Sequence, residues 1–224
     1  MTEGDCLKYL IVNADDFGAS RGINRGILEA HQVGIVTSAS LFMDRAGTSD
    51  AVALAQRAPQ LSVGLHADLD GPIRHGVRAE LVRQLTRFEA LLGRPPSHLD
   101  SHHHVHRSPE VLPDVRAVAE ERGLVVRDFS PVRYLADFYG QPGEGTDLDR
   151  ISLTALIRLI RTEVREGWNE LGCHPGYVDA DLVSRYTIER EHELRTLVDP
   201  AVREAIREAG IVLASFKDVP RQRV

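Results

Sequence analysis

The sequence predicts an α/β fold in which about seven parallel strands form a distorted or incomplete (β/α) barrel. Short apolar runs alternate along the chain with segments in which apolar residues recur at helical spacing. The residues best suited to chemistry follow the ends of predicted strands, where barrel enzymes place their active sites. An open doubly wound sheet fits the same alternation, but no strand is followed by the G-x-G-x-x-G fingerprint of its nucleotide-binding form.

Seven apolar runs are predicted to be strands. In the second of them, Val36, Ser38 and Ser40 alternate with Thr37, Ala39 and Leu41, as in a strand whose two faces differ. In chain order the seven runs are Tyr9–Asn13, Ile35–Phe42, Leu61–Ala67, His98–His102, Leu124–Phe129, Trp168–Cys173 and Ile211–Phe216.

Helices are predicted between these strands. Leu81, Leu85, Phe88 and Leu92 form the stripe of a core-facing helix that ends at Gly93. The other helices are expected from about Arg21 to Gly34, Asp50 to Ala58, Ser108-Pro109 to Gly123, Leu153 to Val164, Thr187 to Val198 and Asp199-Pro200 to Ala209.

Pro131–Leu148 is the one long segment without a regular pattern. Loops of this length in a compact domain are usually functional or disordered. Its aromatic residues fit a wall of a substrate site and an ordinary surface excursion equally well.

Composition indicates a soluble globular protein. Of the 224 residues, 42% are hydrophobic and 27% charged, which is ordinary for one domain spanning residues 1–224. A net charge of −6 argues against nucleic acid or an anionic membrane as a partner. Cys6 and Cys173 lack metal-type or redox-type spacing, and Met1–Lys8 carries acids instead of an apolar signal core. We therefore expect a cytoplasmic protein without a membrane span.

Two adjacent carboxylates, Asp15 and Asp16, follow the first predicted strand. Like charges repel each other, and burial disfavours both ionised forms, so a nearby cation would stabilise the pair. Neighbouring side chains in a strand point to opposite faces, which would let one carboxylate hold a metal while the other acts as a base. A polar loop whose acids cap the following helix is the alternative.

Four of the ten histidines lie between His102 and His106, directly after an apolar strand. Strand alternation would put His102 and His104 on one face and His103 on the other. His66 ends the third predicted strand and by itself would be more typical of a hydrogen-bonded core residue. One aspartate and two histidines are enough to hold a divalent ion and to leave positions open for water and substrate.

Five sequence segments closely resemble the YdjC-like carbohydrate deacetylase family. They are Ile11–Gly18, Gly34–Ser38, Gly64–His66, His98–His106 and Cys173–Tyr177, and the resemblance extends to about Leu197. It implies a barrel-like fold, often dimeric, with a divalent metal at the barrel mouth. It also implies removal of acetyl groups from N-acetylated sugars, as in chitooligosaccharide deacetylases.

Position by position, the resemblance implies Asp16, His66 and His102 as metal ligands and Asp15 as the base. His106 is the main rival to His102. The resemblance favours Mg²⁺, whereas two imidazole ligands favour a Zn²⁺-like ion. The Asp68–Arg78 connection is shorter than in longer members, which leaves the exact sugar open.

The residue types then predict a mechanism. The metal would polarise the acetamide carbonyl and acidify a bound water, whose proton Asp15 would accept. His174, at another strand end, is expected to protonate the departing amine; its alternative is to fix the turn that follows it. Asp100 is expected to orient a metal-binding imidazole without binding the metal itself. His106 is expected to have the same kind of supporting role if it is not a ligand.

Tyr177 and Arg127 are the candidate contacts to sugar hydroxyls. The expected partners are an N-acetylated sugar and a second copy of the chain in a homodimer.

Two other functions compete with deacetylation. A phosphoesterase with two metals would need a bridging carboxylate and further ligands, which only His104 or His106 could supply. A protein that merely binds a sugar or a metal would need no base beside the ligand, so the pair of aspartates argues against it.

Overall fold

The computed structural model describes residues 7–71, 73, 75–143 and 145–220. Cys6 and most of the Met1–Lys8 segment lie outside these residues, as do two positions of the Asp68–Arg78 connection. The strands are β1 (Lys8–Phe17), β2 (Ser38–Leu41), β3 (Ser62–Ala67), β4 (His98–Ser101), β5 (Val125–Val126), β6 (Arg133–Leu135), β7 (Gly167–Cys173) and β8 (Ile211–Ala214).

All of these strands pair in parallel, in the order β5-β4-β3-β2-β1-β7-β6, with β8 also paired to β1. β8 pairs with residues 8–11 of β1, and β2 pairs with residues 13–17 farther along. Seven strands thus form one continuous curled half-barrel surrounded by helices, which confirms the predicted fold class. Parallel pairing brings the carboxyl ends of the strands to one rim.

The helices are α1 (Arg21–Gln32), α2 (Thr48–Arg57), α3 (Val77–Leu92), α4 (Leu112–Arg122), α5 (Leu153–Glu163), α6 (Ile188–Val198) and α7 (Pro200–Glu208). The Ser20 hydroxyl caps α1 by accepting the N–H of Ile23, and Gly93 ends α3 with a left-handed φ of 66°. Within the part of the chain that the structure describes, no helix has both the length and the apolar character needed to cross a membrane.

Three sequence predictions about local structure are wrong. The segment 131–148 is not wholly irregular, because it contains β6. Helix α4 begins at Leu112, and Ser108 lies in the preceding turn instead of at the cap. His102–Arg107 forms a 3-10 segment in which His103 and His104 have φ of 47° and 54°, so strand alternation does not decide where these histidines point.

The two faces of β1 have different surroundings. Leu10, Val12 and Ala14 belong to the main apolar cluster between sheet and helices. Asn13 and Asp15 alternate with them and point into the half-barrel, where polar side chains are buried. Polar residues from β4, β7 and the segment after β5 reach the same interior. The polar side chains are thus gathered inside the half-barrel, whereas the apolar core lies between the sheet and the outer helices.

Candidate metal centre and active site

A bulge in β1 brings Asp15 and Asp16 together. The pairing of β1 with β2 is irregular between Ala14 and Phe17, and Asp16 has a left-handed φ of 67°. Both carboxylates are buried and line one cavity. The prediction that they point to opposite faces is therefore wrong, because the regular ladder is interrupted between them. Strained backbone of this kind is concentrated at functional sites.

Asp16, His66 and His102, here called the ligand group, converge at the rim. Asp16 Oδ1 lies 3.4 Å from His66 Nε2 and 3.4 Å from His102 Nδ1. Oδ1 is buried and has no hydrogen-bond partner among the described residues. This spacing lets all three atoms reach one ion at bond lengths of about 2.0–2.2 Å. The residues therefore fit a divalent metal that keeps positions open for water and substrate.

Two further residues hold the ligand group in place. Arg190, on α6, donates from Nη2 to Asp16 Oδ2 at 2.6 Å, which leaves Oδ1 facing the imidazoles. His66 Nδ1 lies 2.7 Å from Asp100 Oδ1, the kind of outer contact that orients a metal-binding imidazole. Burial opposes ionisation of Asp16, but the Arg190 charge together with the contacts from His102 and His66 outweighs it and holds the pKa of Asp16 well below its usual value.

Asp15, Asp100, Glu170 and Arg127 form a fully buried cluster, here called the Arg127 network. The guanidinium donates to both Asp15 oxygens at 2.7 and 2.8 Å, and lies 2.6 Å from Glu170 and 2.9 Å from Asp100. Burial raises the pKa of Glu170 to about 7. Burial also opposes ionisation of Asp15, but Arg127 outweighs it and lowers the pKa of Asp15, which keeps this carboxylate able to accept a proton.

The structure does not support the expectation that Arg127 contacts sugar hydroxyls, because its side chain is fully buried among carboxylates. Tyr177 is also turned elsewhere. Its hydroxyl donates to Glu29 at 2.6 Å, and Arg25 packs over its ring beside α1. Neither side chain is therefore available for the contact to sugar hydroxyls that the sequence predicts.

The cavity at the rim has a volume of about 390 Å³ and is lined by both aspartates, His66, His102 and His174. Tyr134, Phe138 and Tyr139 from the 131–148 segment form part of its wall. It adjoins a groove of about 860 Å³ that is also lined by Asp16, His102 and Tyr139. The aromatics of this segment thus lie where a substrate wall would be.

His174 lines the same cavity as the ligand group. Burial lowers the pKa of His174 to about 4, so the resting imidazole is neutral. Its Nδ1 is buried and has no hydrogen-bond partner in the described part of the chain. The side chain thus shares the cavity with the ligand group, and one of its ring nitrogens is left without a partner among the described residues.

His106 is directed away from Asp16. Its Nδ1 lies 2.7 Å from Ser101 Oγ, and its Nε2 lies 3.4 Å from Asp128 Oδ2. The same Asp128 oxygen accepts a hydrogen bond from Arg107 at 2.6 Å. His104, His106 and Asp128 are close enough to form a second ligand set. The Arg107 cation already neutralises the carboxylate of that set.

The chain is similar to known proteins along most of its length. The family model described as "YdjC-like protein" matches residues 9–76 and 71–208. A chitooligosaccharide deacetylase from Serratia marcescens is 34% identical over 259 aligned residues, which cover 95% of this chain and 99% of the relative. A carbohydrate deacetylase from Geobacillus stearothermophilus is 37% identical over 249 residues, covering 94% and 98%. Both alignments exceed the 224 residues of this chain, so these relatives carry residues that it lacks.

Solved structures agree on the fold. A protein from Enterococcus faecalis V583, assigned to cellobiose-phosphate cleavage, has a TM-score of 0.79 at 28% identity and covers 94% of this chain and 98% of its own. A family 4 carbohydrate esterase from Streptomyces lividans, in complex with acetate, has a TM-score of 0.60 at 16% identity, with coverage of 92% and 91%. The second likeness concerns the fold alone. With a family model matched along most of its length and relatives above 30% identity over nearly all of it, the chain belongs to the YdjC-like protein family.

Proposed function

We propose that the protein is a metal-dependent deacetylase that hydrolyses the acetamide of an N-acetylated sugar or oligosaccharide. The observation that carries the proposal is Asp16 Oδ1, which has no hydrogen-bond partner in the described ranges and faces two imidazole nitrogens at 3.4 Å beside the ionised Asp15. A ligand next to a separate base suits hydrolysis better than storage of a metal. The names of the relatives, chitooligosaccharide and carbohydrate deacetylase, support the substrate class.

Each residue has one task in this reaction. Asp16, His66 and His102 would hold one divalent ion, which when bound supplies a Lewis acid for the acetamide carbonyl and a more acidic water. Asp15, kept ionised by Arg127, accepts the proton of the attacking water. His174 donates a proton to the nitrogen that leaves. Tyr134 and Tyr139 would flank the substrate.

Two different ions have support as the bound metal. One carboxylate and two imidazoles support a Zn²⁺-like ion, whereas the family resemblance supports Mg²⁺. Restoring the metal-stripped protein with each ion separately, and measuring acetate release, decides between them. The proposal also includes a cytoplasmic homodimer, supported by composition and by the family resemblance; its mass in solution tests the dimer.

The main experiment is to incubate the purified protein with a panel of N-acetylated sugars and to assay free acetate. We expect release that stops when the metal is removed and returns with one ion per chain. Two ions per chain together with phosphate release from a phosphoester would instead support the competing hydrolase.

Substitutions of the two aspartates should have different effects in the same assay. Asp16→Asn should lose metal and activity together, whereas Asp15→Asn should keep the metal and lose turnover by about a hundredfold or more. Loss of metal from Asp15→Asn at neutral pH would mean that the two roles are exchanged. Near-normal turnover with metal retained would leave Asp15 as a structural residue.

A further inference from the structure

Glu193 is a fully buried carboxyl that the mechanism above does not use. It lies on α6 and accepts the backbone N–H of His174 at Oε2. Its Oε1 accepts the hydroxyl of Tyr186 and lies 3.9 Å from His174 Nδ1. Acidic side chains are rarely buried without a partner. The nearby His174 Nδ1 is likewise buried and has no hydrogen-bond partner among the residues that the structure describes.

Neighbouring aromatic side chains hold Glu193 and His174 close together. The Tyr186 hydroxyl, which donates to Glu193, accepts the N–H of Gly140 at 2.8 Å. Tyr139 stacks on Tyr186 with ring centroids 4.9 Å apart and meets the edge of His174 at 5.6 Å. The imidazole is therefore enclosed by α6 and the 131–148 segment, which hold Nδ1 3.9 Å from Oε1.

The second ring nitrogen of His174, Nδ1, becomes important when Nε2 gives its proton to the leaving amine. A neutral imidazole that gives up its Nε2 proton becomes strongly basic unless Nδ1 gains a proton in return. Burial raises the pKa of Glu193 to about 8 and lowers that of His174 to about 4. Near neutral pH the pair therefore holds one proton beyond the N–H of the neutral imidazole, and Glu193 carries it. The other charged or titratable groups that face the pair among the described residues are Asp15, Asp16, His66, Arg190, Tyr139, Cys173 and Tyr186.

We propose that Glu193 is a positioning residue for the deacetylation, holding the His174 imidazole and returning a proton to its Nδ1. The inference rests on the proposed function. In the step, the C–N bond and the Nε2–H bond break while the amine N–H bond forms. The carboxyl O–H bond of Glu193 breaks as Nδ1–H forms. The water oxygen forms the new C–O bond, Asp15 accepts one of its protons, and the second is released when acetic acid ionises to acetate. Turnover is completed when the proton on Asp15 passes through solvent to His174 Nε2 and Nδ1 returns its proton to Glu193.

Glu193→Gln tests the role because it keeps the size of the side chain but removes the transferable proton. Two substrates are compared, an N-acetylated sugar and 4-nitrophenyl acetate, whose leaving group needs no proton. We expect the variant to lose about a hundredfold in kcat on the amide, with KM, metal content and turnover of the aryl ester unchanged. Glu189→Gln is the matched control, since Glu189 is a buried carboxyl on the same helix that contacts Gln141 and Thr146 instead of His174.

A second comparison separates a proton role from a folding defect. In a His174→Gln background, Glu193→Gln should cause no further loss on the amide, because both changes remove one function. Equal losses on both substrates, a further loss in the His174→Gln background, or normal amide turnover would each overturn the inference. Absence of acetate release from the unmodified protein would instead overturn the proposed function.

Discussion

The Arg127 network and the ligand group meet at the adjacent residues Asp15 and Asp16, yet their polar atoms are satisfied in different ways. Arg127 is surrounded by three carboxylates at 2.6–2.9 Å and is fully buried. In the ligand group, Asp16 Oδ1 lies 3.4 Å from one nitrogen of each imidazole. This oxygen has no hydrogen-bond partner among the described residues. Buried polar groups are normally hydrogen-bonded. Although Glu170 Oε2 also has no hydrogen-bond partner among the described residues, every carboxylate of the first cluster contacts the Arg127 cation, so this cluster supports the structure from within. The second cluster is suited to hold something that comes from outside.

The largest expected effect is on stability, from Arg127→Met. Removing the guanidinium leaves three buried carboxylates without their cation, so we expect the free energy of unfolding to fall by about 3–5 kcal/mol. Urea denaturation at neutral pH measures this change. Arg78→Met is the control, because Arg78 pairs with Glu121 on the surface, where solvent screens the charges and such a pair contributes little to stability. A similar small effect at Arg127 would remove the distinction between the two clusters.

The ligand group should respond through metal binding. His102→Ala should lower metal affinity by more than the roughly hundredfold that loss of an outer contact causes, because a coordinating atom is lost. His106→Ala should keep a full equivalent of metal, since its ring faces Ser101 and Asp128. Metal content after dialysis measures both. The reverse result would make His106 the ligand.

A smaller effect is expected from Arg190→Gln. Without the guanidinium on Oδ2, Asp16 loses the contact that directs Oδ1 toward the imidazoles, so metal affinity should fall about tenfold to hundredfold. Calorimetric titration of the metal-stripped protein with Zn²⁺ measures it. Arg195→Gln provides the control, because Arg195 lies on the same helix but is largely exposed and pairs with Glu191. Equal affinities of the two variants would show that Arg190 does not position Asp16.

The smallest expected effect concerns pH. Burial raises the pKa of Glu170 from 4.5 to about 7, so the folded protein holds this proton more tightly than the unfolded chain does. The resulting stability is fully present below pH 4.5 and is lost as pH rises through 7. Glu170→Gln should lessen the fall in stability between pH 5 and 8 by on the order of 1 kcal/mol. Urea denaturation at both pH values tests this; an unchanged pH dependence would mean that Arg127 keeps Glu170 ionised.

The sequence by itself determined the class of fold and the end of the sheet where the chemistry lies. Apolar runs and helical periods are local patterns, so the strands around Asp15, His66 and His174 could be predicted from neighbours in the chain. β6 could not, because its three residues lie in a segment interrupted by glycines and prolines and carry no such pattern. Their pairing with β7 depends on a strand more than thirty residues away.

Only the tertiary structure decided what the charged residues do. Arg127 looks like a surface residue in the sequence, because Asp15 lies 112 positions away and Glu170 lies 43 positions away. Arg190 and Glu193 lie on a helix instead of a strand end, so no pattern pointed to them. The bulge at Asp16 and the 3-10 segment at His102 set which atoms meet. Side-chain direction depends on backbone angles that long-range packing imposes, and these are not encoded in residue spacing alone.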